Sequence, residues 1–264
     1  MAEKGEGDYC LMNIVLVVIV LGFLGAFIAG MAGIGGAIIM VPLLYFVPPI
    51  LGFEQLSMQT VAGMTIVQVL IATGTAALVH RANNYINKEL VKWMGTTIII
   101  ASFIGGLISK YITEYIMQQT FAVLALIAAL MMFIPKKEKN ENMQINFNKV
   151  LTVASTFIVG ILSGMIGAGG AFLLVPIMLY ILNIPLRITV GSSLAIVFFS
   201  SFAGFLGKVY TDQIVWNLAA AIVIGAIPGA YLGGKVSKHI PANLLKGFLA
   251  FLISGTALKM WISF

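Results

Sequence analysis

Gly30-Met31-Ala32-Gly33-Ile34-Gly35-Gly36-Ala37-Ile38-Ile39-Met40-Val41-Pro42 returns later in the chain as Gly164-Met165-Ile166-Gly167-Ala168-Gly169-Gly170-Ala171-Phe172-Leu173-Leu174-Val175-Pro176. Gly, Met, Gly, Gly, Gly, Ala, Val and Pro fall at identical offsets in the two copies. Glycine inside an apolar run weakens a helix and lets the backbone turn or come close to another group. Proline six residues on lacks an N–H and leaves a carbonyl one turn back without its donor. Each copy therefore predicts a helix break, with Pro42 and Pro176 as part of it. Non-helical backbone at membrane depth is tolerated only where protein buries it or where it lines a cavity, so the two breaks are the first candidates for function.

The surrounding composition fixes the class. Of 264 residues, 60% are hydrophobic and only 9% charged, against roughly 25% charged in soluble domains. Uncharged runs of about 20 residues, the length that crosses a hydrocarbon core, follow one another along the chain. The expected class is an all-α integral membrane protein. The net charge of +6 does not point to nucleic acid, because Lys and Arg lie in short loops between the runs, where membrane proteins keep them for orientation. Cys10, the single cysteine, excludes an internal disulfide framework and a cysteine-based metal cluster. The N-terminal segment lacks the basic stretch of a signal peptide.

Residues 9–53 carry no charge and contain the first glycine motif. Apolar runs at about 58–78, 93–109 and 115–135 follow. Residues 136–149 form the one extended polar segment, read as a cytoplasmic linker. Residues 150–186 are again uncharged and hold the second motif, followed by runs near 188–207, 213–234 and 247–258. Ala62-Gly63-Met64-Thr65-Ile66 aligns with Val190-Gly191-Ser192-Ser193-Leu194, and Ile104-Gly105-Gly106-Leu107-Ile108 with Pro228-Gly229-Ala230-Tyr231-Leu232. The chain reads as a tandem duplication, 1–135 and 150–264. Each half is a glycine-broken helix pair plus three spans, about ten helical segments in all.

Charge argues for inverted repeats. If each broken pair makes an even number of crossings, eleven of the fifteen Lys and Arg residues gather on one side and four on the other. If each pair counts as a single crossing, the split is ten to five. The positive-inside rule favours the first arrangement, with both termini extracytoplasmic in a cell (inner) membrane. The stretch 150–186 is short for two full spans, so tilted half-helices or re-entrant hairpins with their glycine tips near the bilayer centre are expected. Such interrupted segments at matching places are the sequence pointer to a transporter site.

At each tip the following helix begins near Gly36 or Gly170. A helix N-terminus offers unpaired N–H groups and about half a positive charge, and Gly-X-Gly-Gly lets them face a ligand unobstructed. Gly33, Gly35, Gly36, Gly167, Gly169 and Gly170 are thus candidate anion-binding positions. Close helix packing is the alternative use of the same glycines. Thr65 and Gln68 share a helix face with Ala72, while Ser192 and Ser193 occupy the matching region of the second half, with Ser200 and Ser201 beyond. These side chains can complete the site or simply bond their own helix. His80 and Lys208, equivalent in the duplication, stand at the ends of runs. Interfacial anchoring is the expected role and substrate gating the alternative. Glu54 is the best-placed carboxylate for a proton relay, though a loop carboxylate is ordinarily solvated.

No enzyme motif is present. His80 and His239 are far apart, no span carries a carboxylate pair, and the Gly-X-Gly-Gly copies lack the Lys-Ser/Thr ending of a P-loop. Neither a cofactor nor a metal is expected. With no ATPase domain in the chain, transport would be secondary or channel-like.

Both glycine–proline motifs, followed by Val190-Gly191-Ser192-Ser193-Leu194, make the whole chain resemble the TauE/SafE family of sulfite and organosulfonate exporter-like permeases. Ala37 and Ala171 stand where that family often has a further glycine, and Ala62-Gly63-Met64-Thr65 departs from a clean Gly-Thr-Ser. The resemblance implies movement of small sulfur-containing anions such as sulfite, sulfonates or thiosulfate, coupled to an ion gradient. The partners it implies are that anion and the lipid bilayer, with a homodimer also compatible. A passive anion channel and an accessory subunit of a larger membrane complex are the competing readings.

Overall fold

The computed structural model describes residues 2–32, 35–80, 86–133 and 148–237, with Gly247 and Gly255 as isolated helical positions beyond them. The final run expected at 247–258, most of the polar linker, and Gly33 lie outside the described residues. The described residues are helical without strands: α1 (Ala2–Ala32), α2 (Ala37–Ile50), α3 (Met58–His80), α4 (Lys88–Ile108), α5 (Glu114–Phe133), α6 (Lys149–Ile166), α7 (Ala171–Pro176, continued by a π-helical turn Ile177–Ile181), α8 (Leu186–Tyr210) and α9 (Trp216–Ser237). Seven of these contain an apolar stretch long enough to cross a membrane, and the two short ones, α2 and α7, each follow a glycine motif.

Local chemistry sets the boundaries. Asn87 caps α4 by accepting the Leu90 N–H, and Asn148 caps α6 by accepting from Val150 and Leu151, the usual work of an N-cap amide oxygen. Lys149 is the first residue of α6 rather than the last of the linker. Gly36 (φ 73°) and Gly170 (φ 81°) are the residues before α2 and α7, in the left-handed region that only glycine enters freely. The helix breaks therefore sit at the glycines.

The prolines play a different part from the one expected. α2 runs unbroken through Pro42, Pro48 and Pro49. At Pro176 the α-helix changes into the π turn without ending the helical rod, and a wider turn is one way to absorb a missing i→i−4 bond. Pro42 lies deep enough in α2 that the loss of one donor leaves the rest of the ladder intact.

Side-chain contacts give the helix directions. Gly225, Gly229 and Gly233 of α9 meet the backbone of Ile19, Phe23 and Phe27 of α1 in step, so these two helices run parallel and very close. The seam is a small-xxx-small packing face. α4 and α6 form a second such seam. It begins at the Glu89–Lys149 ion pair of 3.5 Å, passes Gly160 against Ala101 and Gly164 against Ser102, and closes beyond Ser109 and Met165, which share a partner in Lys208. α8 runs with them, its start touching Asn87 through Ser192 and its end touching Ser109 through Lys208. α3 runs the other way: its start meets Glu114 and Ile112 at the far end of α4. Each half thus lends one helix to a parallel pair with the other half, and α3 and α8 fill the middle, with 67% and 61% of their spans buried.

Candidate functional site

The first glycine turn closes against α3. A Cβ placed on Gly36 would lie 2.5 Å from Ala29 Cβ, 2.8 Å from the Gly25 carbonyl oxygen and 3.2 Å from Gln68 Nε2. One placed on Gly25 would meet Met40 Sδ at 2.9 Å and Gln68 Nε2 at 3.7 Å. The Gln68 amide therefore occupies a notch bounded by α1, the turn and the first turns of α2. Gly36 is required twice, by its backbone conformation and by the absence of room. α2 has no side-chain cap hydrogen bond at Gly36, and Ile39 N–H turns back to the Gly36 carbonyl, which leaves the Ala37 and Ile38 N–H groups as the helix's positive end.

What distinguishes this notch is unpaired chemistry. Among the described residues, Thr65 Oγ1, Gln68 Oε1 and Gln68 Nε2 are buried and have no hydrogen-bond partner. A buried polar group without a partner costs about 1–3 kcal/mol, so a helix face that carries three such atoms beside a helix N-terminus is organised around something other than its own stability. Thr65 and Gln68 are three residues apart and share a face with Ala72, which is also buried.

The second glycine turn closes on the adjacent residues of α3, in apolar company. A Cβ on Gly167 would overlap the Ala62 carbonyl, and one on Gly169 would lie 2.9 Å from Val69 Cγ1 and 3.2 Å from Val197 Cγ1. Gly170 faces Ile98 and Ser163, whose hydroxyl donates to the Gly160 carbonyl. Both turns thus abut α3, but the hydroxyls near the second, Ser163 and Ser201, are used within their own helices. In the duplication Gln68 corresponds to Ile196, a buried apolar residue.

The remaining expected positions scatter. Ser192 accepts the Asn87 N–H at 3.0 Å and ties α8 to the start of α4. Ser193 is buried nearby on α8. Glu54 is exposed in the loop between α2 and α3. The side chain of His80 lies outside the described residues.

Lys208 corrects the interfacial-anchor expectation. It is fully buried, and its Nζ donates to Ser109 Oγ (3.0 Å), Gln213 Oε1 (3.0 Å) and the Met165 carbonyl (3.1 Å). The reason is geometric. The left-handed Gly167 ends α6, so the Met165 carbonyl lacks a helical donor and the Lys208 side chain at the helix C-terminus fills the gap. The Ser109 hydroxyl lies within donating distance of the Gly106 carbonyl and of Gln213 Oε1, and the Gln213 amide donates to Thr211 Oγ1. All three acceptors around the Lys208 nitrogen are neutral groups.

Sequence reading also missed Thr156, fully buried on α6 with an unpartnered hydroxyl, and Ser102, whose hydroxyl donates to the Ser200 carbonyl. The signal for Thr156 lay in the comparison of the two copies, where its counterpart is Gly22. Polar residues that break the internal symmetry mark where the halves have diverged. Among the described residues no cluster of His, Cys, Asp or Glu could hold a metal ion.

Glycine-broken helices packed around two central spans, with uncompensated polar groups at depth, define a membrane permease. The family model for sulfite exporter TauE/SafE matches residues 18–260, and the chain belongs to that family. It is 27% identical to the probable membrane transporter protein YunE of Bacillus subtilis over 85% of this chain and 88% of the relative. It is 26% identical to YdhB of the same organism over 94% and 99%, and 29% identical to a probable membrane transporter protein of Haemophilus influenzae over 92% and 97%. No solved structure matches the chain.

Proposed function

We propose that this protein is a secondary transporter for small sulfur-containing anions, and that the anion binds at the first glycine turn. The observation that carries the reading is the set of three unpartnered buried atoms, Thr65 Oγ1, Gln68 Oε1 and Gln68 Nε2, next to the N-terminus of α2. The backbone N–H groups of Gly35, Gly36 and the first residues of α2 supply positive potential, and Thr65 and Gln68 supply directed hydrogen bonds. Gly167, Gly169 and Gly170 form the opposite wall, with the Lys208 side chain behind it. The family description contributes sulfite as the first substrate to try.

The repeats are read as inverted. In support, α3 runs against its counterpart α8, while α1 of the first half pairs with α9 of the second and α4 with α6. Eleven of the fifteen basic residues then fall on one face, which the positive-inside rule assigns to the cytoplasm. Alternating access follows if one helix pair, α1 with α9 or α4 with α6, rocks against α3 and α8 about the glycine turns.

The test is uptake of radiolabelled sulfite, thiosulfate and taurine into proteoliposomes, with and without an imposed pH gradient. Saturable uptake accelerated by the gradient supports a coupled transporter. Linear, gradient-independent flux replaces it with a channel, and no flux of any of the three removes the assignment.

A further inference from the structure

Gln68 is a donor and an acceptor at once, and neither end is used by the protein. Either orientation of the amide leaves one N–H group and one carbonyl oxygen open beside Thr65, whose hydroxyl is equally free. A site evolved for a bare oxyanion needs donors only, since an anion with no hydrogen offers nothing to a buried carbonyl oxygen. The helix N-terminus and the amide N–H already serve that purpose. An acceptor held in the same notch would repel such a ligand, and desolvating it unpaired would weaken binding.

Among the described residues no group bonds the amide: Gly25 and Gly36, which lie against it, have no side-chain donor, and the Thr65 hydroxyl on the same helix face does not reach it. The corresponding position on α8 is Ile196, so no second amide supplies the complement.

We infer that the first glycine turn selects sulfur oxyanions that carry a hydrogen-bond donor together with their anionic oxygens, over anions of equal charge that have none. The inference rests on the anion site proposed above and adds the chemical class of its ligand. The ligand's oxygens take the α2 N–H groups and Gln68 Nε2, and its own acidic hydrogen or amino group donates to Gln68 Oε1. Hydrogensulfite supplies the donor on its acid group and taurine supplies it on nitrogen. Methanesulfonate is a monoanion of similar size with neither. A site built to hydrogen-bond a ligand's O–H or N–H discriminates strongly against the analogue that lacks it, because its own buried group is left unpaired.

The experiment is competition at one fixed, mildly acidic pH, so that no protein group changes charge between arms. Uptake of radiolabelled hydrogensulfite into proteoliposomes is challenged with unlabelled hydrogensulfite, taurine or methanesulfonate, in the wild type and in Gln68→Met. In the wild type, methanesulfonate is expected to need about tenfold or more the concentration of hydrogensulfite for half-inhibition, the size of one hydrogen bond to a charged partner. In Gln68→Met that ratio is expected to fall below about threefold. Competition by taurine as strong as hydrogensulfite makes any donor sufficient, and competition by hydrogensulfite alone narrows the class to the acid hydrogen.

Methanesulfonate competing on equal terms in the wild type overturns the inference while leaving a transporter in place. An unchanged ratio in Gln68→Met overturns the role of Gln68. Thermal stabilisation of the detergent-solubilised protein by the same anions reads the selectivity without transport. Stabilisation by hydrogensulfite and not by methanesulfonate, in a protein that moves neither, keeps the ligand class and sinks the transport reading. Stabilisation by neither, with no uptake, sinks both.

Discussion

Gln68 and Val69 are neighbours on α3, yet each meets a different glycine turn. Gln68 Nε2 would lie 3.2 Å from a Cβ on Gly36, and Val69 Cγ1 2.9 Å from a Cβ on Gly169. Adjacent residues on a helix point about 100° apart, so the two turns approach α3 at the same height from different sides. One meets an amide and the other an isopropyl group, which gives the centre of the protein a polar side and an apolar side.

Gly36→Ala should abolish uptake and destabilise the protein. The new Cβ combines a left-handed backbone, worth about 1 kcal/mol or more, with overlap on Ala29 and the Gly25 carbonyl. Gly52→Ala is the matched control. Gly52 also has positive φ, 84°, but nothing within 4 Å of its Cβ position, so it should lose about 1 kcal/mol and keep transport. Thermal unfolding in detergent alongside proteoliposome uptake measures both.

Thr65→Val should move stability and transport in opposite directions. The hydroxyl it removes is buried and unpartnered, and replacing it with a methyl group relieves up to about 1–3 kcal/mol of desolvation cost. Uptake should fall at least about tenfold if that hydroxyl contacts substrate. A variant that is less stable and fully active would assign Thr65 to structure.

Lys208→Met should cost about 1–3 kcal/mol in reversible unfolding, the range for leaving a buried polar group unsatisfied. It removes the donor of the Met165 carbonyl, while Ser109 and Gln213 keep each other. Lys208→Arg should rescue little, because a planar guanidinium cannot aim three donors as an ammonium does. Stability of both variants within about 1 kcal/mol of wild type would return this lysine to the membrane surface.

Orientation is open to thiol labelling. In a Cys10→Ser background, Lys110→Cys and Glu89→Cys put single thiols on exposed positions at opposite ends of α4. A membrane-impermeant maleimide should label Lys110→Cys in intact spheroplasts and Glu89→Cys only after permeabilisation. The reverse pattern would put both ends of the protein in the cytoplasm.

The class and the glycine turns were legible from sequence because each rests on a local rule: apolar length, and glycine where only glycine can turn. Thr65 and Gln68 were legible as a shared face, since helical spacing needs no partner to be read. Lys208 was not, because its burial depends on a carbonyl 43 positions earlier that becomes available only once Gly167 ends its helix. The prolines misled for a related reason. Their rule concerns one hydrogen bond, and a helix inside a protein survives the loss of one. Ser192 looked equivalent to the site residues until the fold put it beside Asn87.

The cross-paired seams also bear on how the chain is made. α4 and α6 are separated by one helix and a linker, so they can zip together soon after both leave the ribosome. α1 waits longer: its three contact residues, Ile19, Phe23 and Phe27, meet Gly225, Gly229 and Gly233, which are made only after all the helices between. Until then the first helix sits in lipid with its docking groove unmatched. A nascent chain stalled before α9 is therefore the form most exposed to quality-control proteases, and the two halves produced as separate polypeptides should each be short-lived alone and persist when made together.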